Sequence, residues 1–292
     1  MSVNNLTCEP IYRHGTDDQK KRFLEPLASG RGLGAFAITE PDAGTDAGSA
    51  RLKAELKGKQ YILNGAKAFI TNGTHATVFV VIARTGGQPG NRGLSAFIVE
   101  RGAPGLIIGP PEKKMGLRAS STVPLTFEDC AVPAENMLGR EGEGFSIAMQ
   151  ALDSGRIGIS AQAIGIARAA LDEAVEYAKE RKQFGRPIAR FQAIQWMIAN
   201  ADRDIEAAQW LALHAASLKE QGKPLTREAS IAKLFATEAA NRICYDALQI
   251  HGGYGYIQDY KIERLYRDAR VTTIYEGTSE VQRIVIANNL LK

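Results

Sequence analysis

The sequence predicts a multi-domain α+β chain. A short helical segment (residues 1–31) precedes a middle antiparallel β-sheet or barrel (32–133) and a C-terminal helical bundle (134–292). Three observations predict it. The middle stretch is cut by Gly and Pro into short β-branched and aromatic runs. No helical crossover separates those runs, which argues against a doubly wound parallel sheet. Beyond them, from about Gly142, the apolar period lengthens to about 3.6 residues and stays there.

In the first segment Thr16 is placed to cap a helix opening with Asp17-Asp18-Gln19, acidic residues that suit the positive end of the helix dipole. Gly15 interrupts the chain before it, and Leu24 and Leu27 supply an apolar side. In the middle stretch, strands are predicted over 35–39, 78–82, 94–99 and 123–127. Residues 50–70 alternate in polarity, with Gly58-Lys59 and Asn64-Gly65 as turn signals. In the last stretch Leu152, Ile157, Ile164, Leu171, Val175 and Ala178 form a helical stripe that Gly185 and Pro187 terminate. A second helix is predicted over 191–218, closed by Gly222-Lys223-Pro224. A third begins after a Thr226 N-cap and ends at His251-Gly252-Gly253. A shorter segment over 260–269 precedes a final helix from Ser279. Long helices joined by short loops pack as a bundle.

Composition narrows the function classes. The 36 basic and 32 acidic residues leave a formal charge of +4, spread along the chain without the basic cluster that nucleic-acid binding needs. The balance is compatible with an anionic small molecule. Cys8, Cys130 and Cys244 are sparse and far apart, which fits a reducing compartment and no disulfide framework. His14, His75, His214 and His251 have no metal-ligand spacing, so no metal is expected. No signal peptide is visible, and no run approaches the ~20 apolar residues of a membrane span.

Five segments combine groups able to do chemistry, and each has a plain structural reading. Phe36 to Asp46 leaves a strand at Pro41 for a small polar loop with free backbone donors, or simply forms a turn closed by Asp42 and Gly44. Lys67 to Gly73 places an aromatic, Phe69, and a hydroxyl, Thr71, on one strand face. It reads equally as a strand entering an Asn-Gly turn. Arg181 to Gly185 ends a helix with basic residues, suited to the helix dipole or to gripping a phosphate. Gln249 to Tyr256 follows a helix and is no dinucleotide fingerprint; a glycine C-cap accounts for it. In the fifth, Thr278 or Ser279 caps the last helix, and Ser279 with Gln282 matches a capping box. Glu276 lies before that cap, where capping has no use for a carboxylate.

Together these segments resemble the acyl-CoA dehydrogenase family over nearly the whole chain. Ala37-Ile38-Thr39-Glu40-Pro41, Ile70-Thr71-Asn72-Gly73, Arg181-Lys182-Gln183-Phe184-Gly185 and Tyr275-Glu276-Gly277-Thr278 occur in the family's order. The resemblance implies an N-terminal helical domain, here reduced to a remnant, a middle β domain and a C-terminal four-helix bundle. It implies FAD as cofactor, held by Phe36, Ile38, Thr39, Thr45, Phe69, Ile70 and Thr71 at the ring. Arg181, Phe184, Gln192, Gln249, Ile250, His251, Gly252 and Gly253 would hold the nucleotide end, and Thr278, Ser279 and Glu280 the phosphates. Thr45, Asp153, Ser154, Gly155, Arg156 and Gly277 match acyl-CoA contacts. Electron transfer flavoprotein is the implied acceptor, and a dimer of dimers the implied assembly. The implied compartment is the bacterial cytoplasm, or the mitochondrial matrix if a targeting segment is missing from this chain, with the cytoplasm preferred.

The implied reaction is α,β-dehydrogenation of an acyl-CoA to the trans-2-enoyl-CoA, in fatty-acid or related acyl-CoA catabolism. A carboxylate removes the weakly acidic α-proton while a hydride leaves the β-carbon for flavin N5. Glu276 takes the base's position, and apolar surroundings are expected to raise its pKa. Some members carry the base on the first bundle helix; Gly155 stands there, which leaves Glu276. Asp153-Ser154-Gly155-Arg156 and Gly252-Gly253-Tyr254-Gly255-Tyr256 are similar to short-chain, butyryl-type members. The chain opens inside the family's N-terminal domain, so Met1 reads as an internal methionine of a longer protein. A truncated, non-catalytic nucleotide-binding or assembly module of the same fold is therefore the alternative.

Overall fold

The computed structural model describes residues 2–86, 88 and 90–291. They fall into two compact units: residues up to 113 with 118–155, and residues 114–117 with 156–292.

The first unit opens with α1 (Ser2–His14). After Gly15 follows a run of α2 (Asp17–Gln19), a π turn (Lys20–Leu24) and α3 (Glu25–Ala28). Thr16 caps this run as expected. Its hydroxyl accepts from the Gln19 amide at 3.2 Å, and the Gln19 side chain accepts from the Thr16 amide at 2.9 Å, a complete capping box.

The strands are β1 (Gly34–Ala37), β2 (Lys53–Lys57), β3 (Gln60–Thr71), β4 (Val78–Arg84), β5 (Leu94–Glu100), β6 (Leu106–Ile108), β7 (Thr122–Pro133) and β8 (Met137–Leu138). Their order is β6-β7-β3-β2-β4-β5-β8, an open sheet and not a closed barrel. Nor is it wholly antiparallel. β1 pairs with β4 in parallel over Gly34–Ala37, and β2 meets β4 in parallel at Lys53 and Arg84. Parallel pairing arises here without a helical crossover because the β2–β3 hairpin and its exit loop carry the chain back.

β4 and β5 are covered on both faces. Phe79, Val81, Phe97 and Val99 join a core with Leu63, Val123, Leu125 and Phe127 of β3 and β7. Val80, Ile82, Ala96 and Ile98 face a second core with Leu6, Phe23, Leu27, Ile147 and Ala151. Such two-sided burial explains the uninterrupted apolar runs in these two strands.

Gly58-Lys59 forms the expected two-residue turn, with Lys57 opposite Gln60. Asn64-Gly65 does not turn the chain. It forms a bulge inside β3, at a register shift against β7. Gly65 takes φ +140°, and the Asn64 amide pairs with Asp129, donating to its carboxylate at 3.0 Å and accepting its amide at 2.8 Å.

α4 (Gly144–Glu180) is continuous, but its first turns pack in the first unit and the remainder in the second. The second unit continues with a hairpin of β9 (Lys182–Gln183) and β10 (Arg186–Pro187). Then come α5 (Gln192–Glu220), α6 (Thr226–His251), α7 (Lys261–Arg270) and α8 (Ser279–Leu290). The α4 stripe is buried mostly through alanines 163, 167, 170, 174 and 178, in one core with alanines 236, 239, 240 and 247 of α6. Ile164 and Val175 pack against the same core and are only partly covered. Thr226 is the first helical residue of α6 and not its N-cap, which is Leu225.

Candidate active site

In the first unit, β1 and β2 lie along the same edge of β4, so residues 38–52 must loop off the sheet and return. Buried polar bonds hold that loop. The Lys67 ammonium, 0% exposed, donates to the Glu40 carboxylate at 2.8 Å and to the Ile38 carbonyl at 2.9 Å. Glu40 also accepts the amides of Arg51 at 2.6 Å and Leu52 at 3.0 Å. Burial works against its charge, but Lys67 and these amides hold the Glu40 carboxyl below its ordinary range. Burial pushes Lys67 down to about 8, against the pull of Glu40, so both are charged at neutral pH. On the far side of the loop Arg84 donates to the carbonyls of Gly48 and Ala50 at 2.9 Å each.

The clamp sets Thr39 beside β3, where the Ala68 amide donates to the Thr39 carbonyl at 2.9 Å. The next residue, Phe69, breaks the pleat. Its φ is +59°, the register with β7 shifts between Lys67 and Ile70, and its ring is 68% exposed. Phe69 and Thr71 therefore do not share a face through regular alternation, as the i, i+2 spacing suggests. A bulky residue held in this region costs about 1–3 kcal/mol, and such strain clusters at functional sites. Phe36 and Ile70 are core residues, 7% and 1% exposed, so from these positions only the backbone can meet a ligand.

In the second unit an open cavity of about 530 Å³ collects Arg181, Ile250, His251, Gly252 and Gly253, together with Tyr177 and Tyr254. The Arg181 guanidinium lies 5.4 Å from the centre of the Tyr254 ring. His251 is buried, stacks on Tyr177 at 4.3 Å and makes a 2.7 Å bond from Nδ1 to the Ala247 carbonyl. A carbonyl can only accept, so Nδ1 carries the proton. Phe184, at φ +52°, is 91% exposed; Gln192 and Gln249 are exposed as well. A second cavity, about 490 Å³, is lined by Thr278, Ser279 and Glu280 with the cations Arg242 and Arg270. The Ser279 side chain is 6% exposed, which leaves backbone donors of the α8 N-terminus as its means of meeting an anion.

Glu276 sits in the turn between α7 and α8. Two successive left-handed residues, Glu276 at φ +52° and Gly277 at +89°, reverse the chain. Thr278 caps α8 by accepting the Val281 amide at 3.3 Å. Gln282 does not close a capping box with Ser279. Its side-chain amide reaches back to the carbonyls of Glu276 at 3.1 Å and Gly277 at 3.0 Å. Lys233 of α6, 0% exposed, donates to the same Gly277 carbonyl at 2.7 Å. The Tyr275 hydroxyl donates to Gln162 of α4 at 2.8 Å.

Family models agree with the order of segments. The model described as acyl-CoA dehydrogenase, C-terminal domain, matches residues 142–291, and the middle-domain model matches 35–130. The N-terminal-domain model matches 1–31. The chain belongs to the acyl-CoA dehydrogenase family. It is 52% identical to a short-chain specific acyl-CoA dehydrogenase of Clostridium acetobutylicum, across 100% of this chain and 77% of that protein. It is 51% identical to an acryloyl-CoA reductase (NADH) of Anaerotignum propionicum, across 100% of this chain and 75% of that one. Among solved structures, butyryl-CoA dehydrogenase from Megasphaera elsdenii superimposes with a TM-score of 0.98 at 50% identity, covering 100% of this chain and 76% of that one.

As an acyl-CoA dehydrogenase the chain is an FAD-dependent oxidoreductase. Its residues fit that cofactor. Within the first unit an exposed aromatic on a strained backbone suits a planar ring; within the second, an aromatic cavity carrying Arg181 and a helix N-terminus beside two arginines each suit an anionic nucleotide group. The expected acyl-CoA residues are less uniform. Thr45 is exposed, and Ser154 donates to Glu9 at 3.3 Å within the first unit. Arg156 is 5% exposed and bonds Ser230 at 3.3 Å inside the second, so it does not lie open to a ligand. Sequence reasoning missed Lys67, Glu40 and Arg84 as holders of the first loop, and Lys233 and Gln282 as holders of the Glu276 turn. The signal available was a lysine, Lys233, set among alanines on a helix face expected to be apolar.

Proposed function

We propose that this protein oxidises a short-chain acyl-CoA to the trans-2-enoyl-CoA, with Glu276 removing the α-proton. The observation that carries the reading is the Glu276–Gly277 turn: a carboxylate held on a doubly left-handed backbone by Lys233 and Gln282. A base fixed in this way loses little freedom when substrate arrives, which is what efficient proton abstraction needs. The Glu276 amide, on the same turn, is the donor we assign to the thioester oxygen, where negative charge develops. Tyr275, its hydroxyl engaged by Gln162, contributes an apolar ring beside the base. Bound FAD supplies the two-electron acceptor for the β-hydride. We assign Phe69, Thr39 and Thr71 to its ring, Arg181 and residues 249–253 to its nucleotide end, and Thr278 to Glu280 to its phosphates. Asp153, Ser154, Gly277 and Thr45 are assigned to acyl-CoA. The domains are 1–31, 32–133 and 134–292, and electron transfer flavoprotein is the partner that reoxidises the flavin.

Glu276→Gln tests the reading. Bleaching of the flavin by butyryl-CoA under anaerobic conditions is expected to slow by about 10²–10⁴-fold, with the FAD spectrum retained. An E276Q variant that bleaches at the wild-type rate sinks the assignment. The acryloyl-CoA reductase among the relatives favours a second reading, the same site run as a reductase. Microscopic reversibility then makes Glu276 the proton donor to the α-carbon, and the electron partner sets the direction. Steady-state assays with butyryl-CoA and with crotonyl-CoA plus a reduced acceptor separate the two.

A further inference from the structure

We propose that Lys233 is a positioning residue for Glu276, fixing its turn through the Gly277 carbonyl and supplying the positive charge that keeps the carboxylate ionised for proton abstraction. The inference rests on Glu276 being the base.

Lys233 lies on the face of α6 that carries Ala229, Ala232, Ala236 and Ala240 into the core, and it is itself 0% exposed. Helix packing at such a position calls for a small apolar residue, and burying an ammonium there carries a large desolvation cost. A hydrogen bond alone does not account for it. Gln282 already donates to the Gly277 carbonyl at 3.0 Å, and a neutral side chain could supply a second donor with far less desolvation. What lysine adds is charge.

The groups around it point the same way. Glu276 in the turn, Glu280 of α8 and Glu238 of α6 itself favour the ammonium, while Arg156 of α4 opposes it. Burial pushes Lys233 down to about 8, which still leaves a cation at neutral pH. The attraction is mutual, so the ammonium favours the ionised form of Glu276 by the same interaction that Glu276 uses to favour the ammonium. On this proposal the ammonium favours the deprotonated base before substrate enters, and it does so from a buried position within the fold.

Lys233→Gln keeps a donor for Gly277 and removes the charge. Two readouts follow. In the pH profile of kcat/KM for butyryl-CoA, the acid limb is expected to move up by about one pH unit, a loss of about tenfold at pH values well down that limb. In the protein before any turnover, the Glu276 carboxyl stretch, isolated as an infrared difference against E276Q, is expected to titrate at correspondingly higher pH. A packing role predicts a lower plateau with both titrations in place, and that result overturns the proposal. If K233Q does not accumulate as folded protein, K233M deletes the same charge together with the bond to Gly277; its plateau is expected to fall, and the shift or constancy of the two titrations decides. The base assignment fails separately: if E276Q dehydrogenates at the wild-type rate the function reading falls, whereas an inert E276Q with an unmoved K233Q profile refutes Lys233 alone.

Discussion

Phe69, Phe184 and Glu276 share a backbone setting that L-residues avoid, at φ +59°, +52° and +52°. All three stand at positions that the family resemblance ties to cofactor or substrate. Strain of this kind persists where the surroundings over-determine it. At Glu276 the surroundings are Lys233 and Gln282; at Phe69 the neighbouring holder is Lys67, paired with Glu40. Lys67→Met, which leaves the Glu40 carboxylate buried without its cation, is expected to lower unfolding free energy by about 3–5 kcal/mol in a urea titration. The same change paired with Glu40→Leu is expected to be milder than K67M alone, because no uncompensated charge remains. If K67M is as stable as the wild type, the pair is no clamp.

At the scale of elements, the 38–52 loop shows how strand geometry makes a site. Two strands on one edge of β4 force the intervening chain off the sheet, and Arg84 at the end of β4 ties its return limb through Gly48 and Ala50. Arg84→Ala is expected to destabilise the first unit by about 1–3 kcal/mol and to raise amide hydrogen exchange selectively over residues 47–52. Unchanged exchange there would show that the loop is held by Glu40 alone. The Asn64-Gly65 bulge teaches the complementary point. As a dipeptide it has turn chemistry, yet β7 lies alongside and Asp129 satisfies Asn64, so the same left-handed tolerance produces a bulge in a continuing strand. Thr226 fell on the wrong side of its helix boundary because Leu225 occupies the cap without side-chain bonding.

For the whole molecule, the buried carboxylate of Glu40 couples stability to pH. Its pKa is lowered on folding, so its contribution is full above the ordinary carboxylate value of 4.5 and is lost as pH falls below that, through the folded value. The difference in thermal stability between wild type and Glu40→Gln is therefore expected to be largest near neutrality and to shrink below about pH 4.5. A difference constant across that range would mean that Glu40 is not ionised in the fold. Among the described residues no helix is long and apolar enough to cross a membrane. The α4 helix, 37 residues long, serves both units: Ile147, Ala148 and Ala151 sit in the core below β4 and β5, and alanines 163–178 in the helical core.

The sequence by itself determined the order of helical, strand-rich and helical stretches, the cap at Thr16, the hairpin at Gly58-Lys59 and the family, because each is written in periodicity or in residues that are neighbours along the chain. The position of Glu276 before the α8 cap was legible for the same reason. The tertiary structure decided the rest: an open, mixed sheet where an antiparallel one was expected, a bulge where Asn-Gly suggested a turn, and the burial of Phe36, Ile70, Arg156 and Ser279. It also decided what holds the site. Lys67 finds Glu40 across 27 residues, and Lys233 finds Gly277 across 44. A buried cation announces itself in a sequence only as one more lysine, since the partner that justifies its burial is brought to it by packing and not by the local chain.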